Sequence, residues 1–155
     1  MLRFGLLLAA IVLAFDQASK YWLIGLLAET PGGIEIAPFF SLVLVWNKGI
    51  SFGLFGQTGA ELAQVLVALA LLVVGILLLW LGTARRYWPA SALGLVIGGA
   101  LGNIVDRVRY GAVADFFDLH WLGYHWPAFN LADTAIVVGV VMLLIDGLSA
   151  KAKPG

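Results

Sequence analysis

The 155-residue chain contains no cysteine, so disulfides, thiolate nucleophiles and thiolate metal ligands are all excluded. Charge is nearly as scarce. Nine basic and nine acidic residues make up 12% of the chain and cancel, leaving no basic stripe for a nucleic-acid partner. Only two histidines occur, His120 and His125. They are five apart and lack the H-E-x-x-H spacing of a zinc protease, so they read as interfacial loop residues and no metal site is expected. Residues 49–53, "GISFG", carry the letters of a G-x-S-x-G pattern around Ser51, but there is no S-x-x-K pattern and no phosphate-cradling G-x-x-x-x-G-K-[ST]. Ser51 with Lys48, and Ser19 with Lys20, stand as serine candidates, and neither lysine is at the S-x-x-K spacing. Sequence repeats and low-complexity segments are absent as well.

What fills the chain is apolar. Hydrophobic residues make up 62% and the mean hydropathy is +1.00, far above a soluble domain. Four runs, at about 4–27, 62–82, 89–105 and 128–148, approach or reach the length needed to cross about 30 Å of hydrocarbon. The expectation is a mainly α membrane protein: a four-transmembrane-helix bundle forming one integral-membrane domain over 1–155. Arg3 followed by "FGLLLAAIVLAF" has the look of a secretory leader, but no A-x-A-like site follows and the apolar pattern resumes through Tyr21–Ile24, so it reads as a retained span.

Arg3, the Arg85–Arg86 pair, and Lys151 with Lys153 fall on alternate connections, which puts both termini and the inner loop 83–88 on the cytoplasmic side. The outer connections are then 28–61 and 106–127. Trp80 and Trp88 bracket the inner loop, while Trp22, Trp46, Trp121 and Trp126 fall near the outer ends, as an aromatic belt would place them. The first outer connection, "IEIAPFFSLVLVWN", predicts a small β-rich element ending in the turn signal "NKG" and a Gly-rich "ISFGLFG". The second, rich in aromatics, predicts a loop lying on the membrane surface.

Ionisable residues inside spans are expensive and mark sites by default. Asp16 and Lys20 stand four apart on one helix face in ion-pairing order, either as a self-neutralising pair or with a direct role. Gly94, Gly98 and Gly102 recur every four residues, which suits close helix packing. Asn103, Asp106 and Arg107 share a face at the outer end of the third span, and Asp146 reads as an inner interfacial residue beside Lys151. Asp115 beyond the third span and Asp133 in the first turn of the fourth occupy one level at the outer surface. Two carboxylates brought close tend to share a proton, so one serves as base and the other as acid, the division of labour peptide hydrolysis needs. Helix capping or cation chelation by the same two residues stays open at this point.

The motifs "DQASK", "WNKGISFG", "GGALGNIVDR", "VADFFD" and "FNLADTAI", in that order, resemble those of bacterial lipoprotein signal peptidases, the type II signal peptidases. The resemblance covers nearly the whole chain. It implies an aspartic endopeptidase of the bacterial inner membrane that cuts diacylglyceryl-modified prolipoproteins just before the lipidated cysteine. The family's catalytic aspartates match Asp115 and Asp133. Its other recurrent positions match Asp16, Lys20, Asn47, Gly49, Asn103, Asp106, Arg107 and Asn130. It further implies no metal or organic cofactor, contact with membrane lipids, and inhibition by globomycin-type cyclic peptides. It leaves the oligomeric state and the assignment of acid and base undetermined. The alternative class is a small proton-coupled membrane transporter subunit, which predicts carboxylates near the midplane and an internal repeat. A non-enzymatic scaffold would need no paired aspartates.

Overall fold

The computed structural model describes residues 1–49 and 59–151; the Gly-rich stretch 50–56, with Ser51, and Lys153 lie outside the described residues. Four long helices, α1 (Leu2–Ala28), α2 (Gly59–Thr83), α3 (Tyr87–Tyr110) and α4 (Leu131–Lys151), all contain segments with the length and hydropathy of membrane spans. Strands β1 (Ile34–Ala37), β2 (Phe40–Asn47), β3 (Val113–Trp121) and β4 (Tyr124–His125) form one antiparallel sheet in the order β1-β2-β3-β4.

Helix α3 is the hub of the bundle. Its apolar window is 61% buried, against 22% or less for the other three, and it packs on α1, α2 and α4 in turn. Small residues make this possible. A Cβ on Gly98 would lie 2.6 Å from the Ala9 carbonyl oxygen of α1, and one on Gly99 would collide with the Ala132 carbonyl of α4. The backbones therefore approach to distances that any side chain would forbid. Leu81, Leu93, Ile97 and Ile104 fill the core around this seam, while residues such as Leu7, Phe15, Leu72, Leu79 and Leu144 face outward, where a bilayer would solvate them.

The helices differ from the sequence expectation chiefly at their ends. Helix α3 begins before Pro89 because a first-turn proline sacrifices only an N–H that has no helical partner. It continues past the expected bound at 105 to Tyr110, which keeps Asp106 and Arg107 on the helix with Asn103, as their shared face requires. Gly111, at φ +71°, ends it with a left-handed cap whose N–H donates to the Arg107 carbonyl oxygen at 3.0 Å. Helix α4 starts at Leu131, three residues later than expected.

The larger correction concerns the second outer connection. It is not a separate surface loop: residues 113–121 form β3, which pairs with β2 from Phe40↔Leu119 to Asn47↔Val113, with an irregularity between Leu42 and Val45. Strand β3 turns into β4 through Leu122 and Gly123, at φ +49° and +83°, the two-residue hairpin geometry with both central residues left-handed. Beyond β4 the chain returns to β3, where Phe129 pairs with Phe117 through hydrogen bonds of 2.9 and 3.2 Å. That pairing aims the next residue, Asn130, back toward Asp115.

Candidate active site

Strand β3 carries Asp115 into the interior, where it is 1% exposed. Neighbouring Ala114 and Phe116 belong to an apolar cluster with Leu23 and Leu27 of α1, which anchors the strand against that helix. Both Asp115 oxygens accept hydrogen bonds: Oδ1 from Asn130 Nδ2 at 2.7 Å and Oδ2 from Asn47 Nδ2 at 3.0 Å. Asn47 ends β2, and its own Oδ1 accepts from the Gly49 N–H at 2.9 Å, an Asx turn that fixes the amide toward the aspartate. Gly49 sits at φ +98°, a conformation that favours glycine, which accounts for both residues of the "NKG" signal. Burial pushes the Asp115 carboxyl up from 3.8 to about 6. The Asn47 donor opposes the rise, the negative charge of Asp133 adds to it, and Asn130 and Lys20 oppose it.

Asp133 lies in the first turn of α4, half-buried, with Asn130 as the N-cap. Asn130 Oδ1 accepts from the Asp133 N–H at 2.9 Å, and Asp133 Oδ2 accepts from the Asn130 N–H at 3.3 Å, a reciprocal capping box. Asn103 Nδ2 donates to Asp133 Oδ1 at 2.8 Å. Asp133 thus closes the helix end, as the capping reading expects, and Asn130 links it to Asp115. Asn130 joins them, because its amide nitrogen holds one aspartate while its oxygen holds the backbone of the other.

Beneath the two carboxylates Lys20 uses all three ammonium protons: toward Asp106 Oδ2 at 2.8 Å, Asp16 Oδ2 at 2.9 Å and Asn103 Oδ1 at 3.1 Å. Lys20, Asp16 and Asp106 are each 2% exposed or less. Asp16 Oδ1 accepts the Ala132 N–H at 3.0 Å, so a side chain of α1 satisfies an orphan donor at the start of α4. Asp106 Oδ2 also accepts the Ala114 N–H at 3.1 Å. The network therefore fastens α1, α3, α4 and β3 at one level.

Every site residue read from the sequence reaches this end of the bundle, but Arg107 differs in detail. It feels the charges of Asp133, Asp115 and Asp106, yet among the described residues it makes no ion pair within 4.0 Å. At the opposite end, Asp146 pairs with Arg86 Nη2 at 2.7 Å, so its partner comes from the inner loop. Gln17 was missed: its Nε2 reaches Asp106 Oδ1 at 3.0 Å, with Asp16 Oδ2 and the Gly102 carbonyl at 3.2 Å. The only sequence signal for it was a polar side chain inside a span. Ser19 donates its hydroxyl to the Asp16 carbonyl oxygen at 2.8 Å, an ordinary helix-surface bond. The two histidines stand on the β3–β4 hairpin instead of a loop, with Asp118 between them.

This geometry can be set beside that of known proteins. The family model for signal peptidase (SPase) II matches residues 8–149. A lipoprotein signal peptidase of Aeromonas hydrophila is 43% identical over 94% of this chain and 89% of its own length. One from Methylorubrum extorquens is 48% identical over 94% of this chain and 86% of its own. Two solved structures of bacterial membrane enzymes superpose on it, the first with TM-score 0.80 and 28% identity over 96% of this chain and 89% of its own, the second with 0.74 and 30% over 93% and 92%. None of these relatives supports the transporter alternative. A membrane bundle topped by a small sheet, with paired aspartates at their junction and a family model spanning almost the full length, establishes that the chain belongs to the signal peptidase II family.

Proposed function

We propose that the protein removes the signal peptide from diacylglyceryl-modified prolipoproteins, cutting immediately before the lipidated cysteine, with Asp115 and Asp133 as its catalytic dyad. The observation that carries this reading is the Asn130 side chain, which couples the two aspartates through bonds of 2.7 and 2.9 Å. The names of the relatives support the substrate class.

In this reading the two aspartates divide the roles of acid and base. Asp115, deeply buried and with its carboxyl raised to about 6, holds the shared proton. Asp133, half-buried at the first turn of α4, is then the base. Asp133 takes a proton from water as the water oxygen attacks the scissile carbonyl carbon, and Asp115 gives its proton to the carbonyl oxygen. Collapse of the tetrahedral intermediate then breaks the C–N bond: Asp133 passes the proton it took from water to the leaving amine, and the hydroxyl formed at the carbonyl oxygen returns its proton to Asp115. Hydrolysis requires no metal or organic cofactor in this scheme. Arg107 binds the substrate backbone, Asn103 and Asn130 fix the carboxylates, and the Lys20 network braces α1 against them.

The location follows from the substrate. Each buried acyl methylene is worth about 0.8 kcal/mol, so a lipidated chain must be cut at the membrane. The reading puts the chain, as one integral-membrane unit of 155 residues, in the bacterial inner membrane with both termini cytoplasmic and the sheet end outside. The hairpin 119–126 grips the substrate there, and globomycin-type cyclic peptides block the site. Lipids cover the outward faces.

The test is cleavage of a diacylglyceryl prolipoprotein by purified wild type, Asp115→Asn and Asp133→Asn, each checked for folding. Wild-type turnover with both variants folded and inactive supports the dyad; turnover retained in either variant rejects it. Cleavage by Trp121→Ala/Trp126→Ala at the wild-type rate would reject the gripping role of the hairpin.

A further inference from the structure

Among the described residues, one buried side-chain nitrogen or oxygen has no hydrogen-bond partner: Nδ1 of His120. Such an atom is unusual, because burying an unsatisfied polar group is costly and an ion is one of the few remedies. Asp118 and His120 are two apart on β3 and share a face of the strand, and His125 of β4 is the direct cross-strand partner of His120. The two imidazoles stack at 5.0 Å and 25°. Asp118 Oδ2 lies 2.9 Å from His125 Nδ1 and 3.5 Å from His120 Nδ1. One donor atom from each residue falls within 4.8 Å of the other two.

We propose that Asp118, His120 and His125 form a binding site for a divalent cation of the zinc class, separate from the aspartate dyad. Two imidazoles and a carboxylate suit this borderline ion, which binds them at about 2.0 Å and so requires donor atoms about 3.3 Å apart in a tetrahedral site. The separations of 2.9 and 3.5 Å bracket that value. A cation accepts the lone pair that His120 Nδ1 otherwise buries, and a water fills the fourth position. Entry is open, since His125 retains 61% side-chain exposure and both histidines line a surface groove with Tyr124 and Trp126. Asp115, three residues from Asp118, faces the other side of β3. The ion therefore pins β4 to β3 and takes no part in hydrolysis.

The experiment uses the full chain without a histidine tag, stripped with chelator and titrated with Zn²⁺ alone by calorimetry and with Co²⁺ alone by visible absorption. One ion per chain is expected, with ligand-field bands of imidazole-bound Co²⁺. Removing even an outer partner of a metal site costs roughly 10- to 100-fold in affinity, so His125→Ala should lose at least that much. Equal affinity in wild type and His125→Ala, or no binding by the wild type, overturns the site. A second measurement needs no variant: amide exchange of the wild type should slow on adding Zn²⁺ at the hairpin bond from Trp126 N–H to the Leu119 carbonyl oxygen, 2.7 Å long. Unchanged exchange there overturns the pinning role.

Discussion

Replacing Asn130 with alanine removes the acceptor for the Asp133 N–H and the 2.7 Å donor to Asp115 in one step. Loss of the cap costs about 1 kcal/mol, which leaves the protein folded. Loss of carboxylate placement should lower kcat by roughly 100-fold with little change in KM, measured by initial rates across substrate concentration. A second prediction follows from the raised carboxyl of Asp115. An acid must be protonated to act, so kcat/KM should fall as pH rises through about 6. Asn47 donates to the ionised form and opposes the rise, so Asn47→Ala should move that limb to higher pH. A pH profile with the limb unmoved would remove Asp115 from the acid role. The same shift has a stability sign: a carboxyl that titrates near 6 when folded and 3.8 when unfolded contributes stability below about pH 4 that is lost as pH rises through 6. Melting followed across that window in wild type and Asp115→Asn would register it. At this scale the sequence revealed the charged members of the site and three of its asparagines but not Gln17, whose single amide beside Asp16 raises no desolvation alarm comparable to that neighbouring charge.

The helices of the bundle depend on contacts that apolarity alone does not encode. Lys20→Met would leave Asp16 and Asp106 buried without their shared cation, and breaking a buried pair in this way costs about 3–5 kcal/mol. Adding Asp106→Asn to that variant removes one stranded charge and should recover part of the loss, as judged by thermal unfolding in one detergent. Gly98→Val should cost about 1–3 kcal/mol, because its Cβ meets the backbone oxygen of Ala9 at 2.6 Å. Gly75→Ala on α2, where a Cβ meets nothing within 4 Å, should be harmless by the same measurement. The spans were legible because a water-soluble fold rarely sustains an apolar run long enough to cross a bilayer. Strand β3 was not. Residues 113–116 and 118 are all buried, so the alternation that marks a half-exposed strand is missing and the segment passes for an aromatic loop.

Across the whole molecule, the order of parts along the chain was readable, whereas the closure of the sheet end was not. Asn47, Asp115 and Asn130 meet only because β2 pairs with β3 and Phe129 returns to Phe117, and no local pattern announces a pairing between segments so far apart. The histidine cluster escaped for the same reason: its third member is contributed by strand register, not by spacing within a motif. The shared N-terminus of α4 carries a further consequence. Its first turn takes Asp16 from α1 at Ala132 and its own Asn130 at Asp133, and the same turn carries Asp133, half of the proposed dyad. Helix α4 is synthesised after the other three. With the proposed dyad, a chain still emerging from the ribosome has no assembled pair of carboxylates and is inert toward neighbouring membrane proteins until its fourth helix docks. Completion of folding is the enzyme's own safety catch.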